Sequence, residues 1–270
     1  MIDAIYIPTL GRPNQITWDG LPNFVKDITY LIIQPHEVEL HKDKQTVVLP
    51  EGLKGITNAR RFIYEYAKNQ RYFVLDDDCK LAHRRGNEAQ CWHNGAKTKR
   101  IMTEDDWSYM LETTSKWLDS GDITWGGFRT GGLPPAGKEY IDNTGTAEVF
   151  FFDGKQLPSA DELDWSLSTA EDISLSLQLL SKGYPNRVWD RFVYLSTFIA
   201  VGDEGGCATW RTLDIINDNH AKLIEKFPEY VSYNGEKERM GGIFNKIKIQ
   251  YKKAYNDSQK SKTTLEEWMI

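Results

Sequence analysis

Three carboxylates in a row, Asp76, Asp77 and Asp78, follow directly on the apolar run Tyr72, Phe73, Val74, Leu75. Aromatic, β-branched and aliphatic residues in an unbroken run read as an interior strand of a parallel sheet. The aspartates then fall at its carboxyl end, where the loops of an open α/β sheet form a ligand crevice. Carboxylates this close repel one another, and that cost is tolerated best where a cation or a set of donors faces them. The Asp-x-Asp spacing of Asp76 and Asp78 suits a hard divalent cation that also holds phosphate oxygens, an ion able to stabilise a departing nucleoside diphosphate. An acidic turn with no ion is the plain alternative for the same triplet.

A second acidic pair, Glu171 and Asp172, stands at the head of ISLSLQLLSKGY. Ile173, Leu175, Leu177, Leu179 and Leu180 supply the apolar positions of an amphipathic helix and Gly183 its stop. The pair therefore occupies the first turn, where the helix dipole favours negative charge. They stand there as stabilising charges, or one of them takes a proton from a hydroxyl in its ionised form. His220 is a candidate metal ligand or phosphate partner, or a surface residue of a polar helix. Trp125, Trp165 and Trp189 offer faces for a sugar or a base, or fill the core.

The elements that must position these groups alternate. Residues 4–8 read as a strand that breaks at PTLGR, a first ligand loop. Strands at 28–34 and 46–49 follow, then a helix capped by Thr57 or Asn58, with Ala59, Phe62, Ile63, Tyr66 and Ala67 as its apolar stripe. That helix feeds the strand ahead of the aspartates, so the fold class is α/β, a mostly parallel sheet flanked by helices. The polar stretch 83–100 reads as a long loop over the site. A helix at 104–118 and strands in ITWGGFRTGG and GTAEVFFFDG complete residues 1–202 as the catalytic domain. From residue 203 a glycine-containing loop, a helix through His220 and the basic NKIKIQYKKAY form an extension, 203–270, that completes the site and contacts the acceptor.

With 270 residues, 40% hydrophobic, 27% charged and a mean hydropathy of -0.54, the chain is an ordinary globular protein. A net charge of -6 excludes a surface that is basic all round and leaves room for a local patch. Lys237, Arg239, Lys246, Lys248, Lys252, Lys253, Lys260 and Lys262, interleaved with Phe244, Tyr251 and Tyr255, make such a patch, which reads equally as a footprint for phosphates and as a solvated helix face. Cys79, Cys91 and Cys207 lack metal-ligand spacing and suggest neither disulfides nor zinc. No signal peptide and no membrane span is legible, and the expectation is a soluble, cytoplasmic protein.

The succession IPTLGR, then GITNARRFIYEYAKNQRYFVLDDD, then TAEDISLSLQLLSKGY resembles the inverting nucleotide-sugar glycosyltransferases of the GT-A fold, over about residues 5–189. The resemblance implies that Pro8, Thr9 and Arg12 border the nucleotide and that Arg60 lies on the donor side. It implies that Asp76 or Asp77 faces the nucleoside and that Asp78 holds Mn2+ or Mg2+, with Asp76 and His220 as further ligands. Asp172 becomes the base that deprotonates the acceptor, with Glu171 beside it, and a UDP-sugar the donor. The segment GDEGGCATWRT and the basic end look like the phage glycosyltransferases of modified DNA bases, which implies a hydroxymethylated pyrimidine in DNA as acceptor, no membrane partner, and action in the host cytoplasm. A carbohydrate or lipid-linked acceptor is the alternative within this fold. A nucleotidyltransferase, with Asp172 only a cap, is the alternative outside it.

Overall fold

The computed structural model describes residues 1–84, 99–196, 206, 211–239 and 241–268, with side chains through residue 261. In chain order the elements are β1 (Ala4–Pro8), the one-turn helices α1 (Ile16–Asp19) and α2 (Asn23–Lys26), β2 (Thr29–Ile33), β3 (Thr46–Val48), α3 (Ile56–Tyr66) and β4 (Arg71–Leu75). Then come β5 (Cys79–Arg84), β6 (Lys99–Ile101), α4 (Glu104–Ser120), β7 (Trp125–Thr130), β8 (Tyr140–Asp142) and β9 (Val149–Asp153). The chain closes with α5 (Glu171–Ser181), β10 (Asn186–Ser196), α6 (Leu213–Lys226), β11 (Val231–Arg239), β12 (Gly242–Ile249) and α7 (Tyr251–Trp268).

The main sheet has the order β3-β2-β1-β4-β9-β7-β10-β5-β6, with β8 on β10. From β3 to β4 every pair is parallel, as apolar strands joined by crossovers demand, while β9 enters antiparallel between β4 and β7. The sheet is thus a mixed α/β sheet whose first four strands are parallel to one another. Alternation sends side chains to two cores: Tyr6, Tyr72, Val74, Phe150 and Phe152 to one face, Ile5, Ile7, Phe73, Leu75 and Phe151 to the other. Burial on both faces fixes the register, because a one-residue slip would exchange the two sets.

Parallel pairing brings the ends of β1 and β4 to one edge, so the loop after Pro8 lies beside the three aspartates. The antiparallel entry of β9 starts at that same edge. Leu75 pairs with Val149, which puts Glu148 beside Asp76, and Asp76 N–H donates to Glu148 O at 2.8 Å. Gly127 keeps β7 tight against this turn, since a Cβ there would lie 2.2 Å from Val149 O and 2.3 Å from Thr146 Oγ1.

Several local expectations need correction. Neither Thr57 nor Asn58 caps α3. Gly55 stands at the cap with φ 84°, Thr57 donates from the core side to Leu167 O at 2.6 Å, and Asn58 reaches back to Lys54 O at 2.7 Å. The ends of the stretch 83–100, expected as a long loop, are strands, with His83 paired to Arg100, while the rest of it, 85–98, falls outside the described residues. Most of GDEGGCATWR also lies outside them. The basic segment is not one helix face, for it divides among β11, β12 and α7. The described part of the extension shares a core with the sheet through Leu223, Val231 and Ala254.

Candidate active site

The first ligand loop is fastened from three sides. Thr9 Oγ1 donates to Asp77 Oδ2 at 2.6 Å, and Arg12 ion-pairs with Asp77 Oδ1 and, at 3.2 Å, with Asp78 Oδ2. Gly11, at φ 68°, gives its N–H to the buried Glu37 carboxylate at 2.6 Å. Gly206 N–H reaches Leu10 O at 2.9 Å. Asp77 is 7% exposed, and burial pushes its carboxyl up to about 6 against the pull of Arg12. With both oxygens engaged inside the protein, Asp77 holds the loop rather than facing outward.

Arg60 projects from the inner face of α3 and is not a helix-surface ion pair. Its Nη2 donates to Asp76 Oδ1 at 2.6 Å and its Nη1 to Glu171 Oε1 at 2.5 Å, joining two carboxylates that are far apart in the chain. Ala170 takes φ 59° at the amino-terminal cap of α5, a left-handed turn that an alanine adopts only under constraint, and so delivers Glu171 and Asp172 to the same place. Asp172 Oδ1 accepts from Ile173 N–H at 2.8 Å. Burial raises both carboxyls of this pair. For Asp172, Arg60 opposes the rise most and Asp76 adds to it.

Glu148 was not legible from the sequence, where it is a lone acid ahead of an apolar strand. Its φ is 57°, bridged by a Val149 N–H to Ala147 O bond of 2.5 Å, a three-residue turn that holds the residue in an uncommon conformation. Its Oε2 accepts from the Cys79 thiol at 3.1 Å, and burial, with Asp76 beside it, pushes its carboxyl up to about 7. The ligand atoms of Asp78, Cys79 and Glu148 lie within 4.8 Å of one another, which among the described residues is the group able to hold a metal. Two hard carboxylates fit Mg2+ or Mn2+. The buried thiol is pushed well above its usual range, stays protonated and supports Glu148. Asp76 is turned to Arg60 and lies outside that cluster, as does His220. His220 Nδ1 meets Asn245 O at 2.7 Å, and because a carbonyl only accepts, Nδ1 carries the hydrogen and Nε2 keeps its lone pair in the neutral ring.

These groups converge on one cavity of about 410 Å³, a size suited to a small-molecule ligand. All ten residues that the sequence offers as donor-binding, metal or catalytic candidates line it: Pro8, Thr9, Arg12, Arg60, Asp76, Asp77, Asp78, Glu171, Asp172 and His220. Six acidic residues and four arginines line it, an acidic excess that favours a bound cation. Thr169 Oγ1 and Arg60 Nε are buried on its lining residues without a hydrogen-bond partner among the described residues. Besides Glu148 and Thr169, Arg211 is a lining residue that had no role of its own within GDEGGCATWRT, and Arg239 and Phe244 had stood only in the basic patch. The three tryptophans do not line it. Trp125 and Trp189 are fully buried core residues, and Trp165 donates to Ala160 O at 2.9 Å and packs on Tyr64.

A family model described as TET-associated glycosyltransferase matches residues 3–206. The protein "Beta-glucosyl-HMC-alpha-glucosyl-transferase" of Enterobacteria phage T6 is 20% identical over 250 residues, 83% of this chain and 80% of that one. Its namesake from Enterobacteria phage T2 is 20% identical over 226 residues, 74% of this chain and 72% of the relative. A solved structure, S. aureus TarS 1–349, is similar with a TM-score of 0.47 and 14% identity, over 83% of this chain and 66% of that chain.

Proposed function

The chain belongs to the TET-associated glycosyltransferase family, and on that premise we propose that it transfers a sugar from a UDP-sugar to a hydroxymethylated pyrimidine in DNA, with inversion at the anomeric carbon. The observation that carries this reading is the convergence of donor-loop, acidic and helix-head residues on one cavity. The names of both phage relatives contain HMC, hydroxymethylcytosine, already bearing a glucosyl group. The accepting alcohol is therefore the hydroxymethyl group of the base or a hydroxyl of a sugar upon it.

Within the cavity Asp78 and Glu148 are the residues that would hold Mn2+ or Mg2+, and Asp76 and His220 line the same cavity. When bound, such an ion supplies positive charge to the diphosphate that leaves. Thr9 and Arg12, fixed by Asp77, border the nucleotide. Arg60 pairs with both Asp76 and Glu171 and fixes where their carboxylates lie, and so acts as a positioning residue. Asp172 is the base. Oδ1 is taken by Ile173 N–H, and Oδ2 takes the acceptor proton as the hydroxyl oxygen bonds to the anomeric carbon. The bond from that carbon to the diphosphate oxygen breaks, and its electron pair leaves with the nucleoside diphosphate. No helix among the described residues is long and apolar enough to cross a membrane, which is compatible with action on DNA in the cytoplasm of an infected cell.

Incubation with UDP-sugars and hydroxymethylated DNA is expected to release UDP and no pyrophosphate. Release should stop on chelation and return with manganese or magnesium. Pyrophosphate as product would assign the cavity to nucleotidyl transfer, and UDP release undiminished by chelation would remove the ion from the site.

A further inference from the structure

Apart from His220, one wall of the cavity has no task in the reaction as proposed. It comes from residues 211–249, beyond the 3–206 span of the family match, and carries Arg211, Arg239 and Phe244. Arg239 and Phe244 belong to the β11–β12 hairpin, which is firmly mounted. At its open end Val231 is buried, and Ile247 and Ile249 pack on the core. Along its free edge α6 closes β12, with Asn217 accepting from Asn245 N–H at 2.9 Å and donating to Ile243 O at 2.8 Å.

The other end of the hairpin, where Arg239 pairs with Gly242, reaches the cavity. Strand alternation puts Phe244, Lys246 and Lys248 on one face of β12. Lys237 sits directly opposite Phe244, and Arg239, two residues on, shares that face. One side of the hairpin is therefore a basic strip that begins at an aromatic ring inside the cavity and runs outward from it. The Arg239 guanidinium lies over the half-buried Phe244 ring at 5.5 Å, and the His220 ring meets it edge-on at 5.4 Å. A ring flanked by a guanidinium is a platform on which any nucleobase stacks, and lysines in a row match a phosphate backbone. A base inside a duplex cannot offer its exocyclic alcohol to an enclosed base catalyst unless it leaves the stack. Asp172 faces this same cavity, close enough to Arg211 to feel its charge.

We infer that the β11–β12 hairpin is the acceptor arm: the pyrimidine extruded from DNA stacks on the Phe244–Arg239 pair, and Lys237, Lys246 and Lys248 hold the phosphates of its neighbours. The inference rests on the DNA-acceptor reading above. The donor's own diphosphate is the other phosphate that Arg211 and Arg239 could meet, and kinetics separate the two.

The test is steady-state transfer from a UDP-sugar to a hydroxymethylcytosine oligonucleotide. Phe244→Leu keeps an apolar side chain but loses the stacking face, and it should raise the acceptor KM roughly tenfold or more. Phe244→Tyr restores the ring and should stay within about twofold of wild type, as should the donor KM in both variants. Changing Lys237, Lys246 and Lys248 together to Gln should lower the slope of log KM against log salt by about two to three, one increment per phosphate contact. An unchanged acceptor KM in Phe244→Leu, with wild type active on DNA, overturns the arm alone. A raised donor KM in place of the acceptor KM gives the wall to the diphosphate and overturns it as well. A wild-type protein that labels no DNA overturns the arm together with the proposed acceptor.

Discussion

Asp172→Asn lowers turnover by at least about a hundredfold while leaving donor affinity and the unfolding midpoint near wild type. The substitution keeps the shape of the side chain and the hydrogen bond from Ile173 N–H, but the amide has no basic oxygen for the acceptor proton. The pH profile adds a second readout. Burial is the largest influence on Asp172 and raises its carboxyl above the ordinary range, with Arg60 and the Ile173 N–H pulling back. A base works ionised, so wild-type turnover should be full above the raised value and fall as pH drops through it. Its acid limb therefore lies at a higher pH than a free aspartate would give. Glu171→Gln should be milder, since Glu171 is turned to Arg60. Near-normal turnover in Asp172→Asn would return the pair to a role as helix-terminal charges.

Arg60→Met should cost about 3–5 kcal/mol of stability at pH 8, the usual consequence of removing one partner of a buried ionic group. The guanidinium is the direct partner of Asp76 and Glu171 and the main opposing charge for Asp172. Methionine fills much of the space and leaves three acids without compensation. The folded-state pKa values of Glu171 and Asp172, already raised by burial, then rise further above the unfolded values. An acid with a raised folded pKa contributes its stability below the unfolded value and loses it as pH rises through the folded one. The deficit of Arg60→Met relative to wild type should therefore shrink as pH is lowered from 8 toward 5. Urea unfolding at both pH values reads this directly, and a deficit independent of pH would show that packing, not charge, is what Arg60 supplies.

Much of this site was legible because its residues sit at the ends of regular elements. The run Tyr72 to Leu75 announces a strand through its own composition, and parallel pairing with β1 then brings Thr9 and Arg12 to Asp77 without further information. Glu171 and Asp172 were fixed in space by the leucine periodicity of α5. Glu148 was hidden because its place depends on β9 entering antiparallel beside β4, a long-range pairing that the residues around Glu148 do not encode. Arg60 was visible as a helix residue but not as a bridge, since its partners come from β4 and α5. The stacking role considered for Trp189 fails for a related reason: a tryptophan on a strand buried on both faces packs against Trp117 and Phe192 instead of a ligand. In the basic patch, sequence alone could not separate Lys253 and Lys260, which pair with Asp257 on α7, from the hairpin lysines.

The central claim, that the cavity carries out glycosyl transfer to a hydroxymethylated base, is tested most directly by offering one labelled UDP-sugar to two DNAs of identical sequence. One carries 5-hydroxymethylcytosine, bare or already glucosylated, and the other carries cytosine. Label should enter only the modified DNA, because cytosine has no exocyclic alcohol for Asp172 to deprotonate, and Asp172→Asn should reduce that labelling by at least about a hundredfold. Equal labelling of both DNAs, or label passing only to a free saccharide, would contradict the claim.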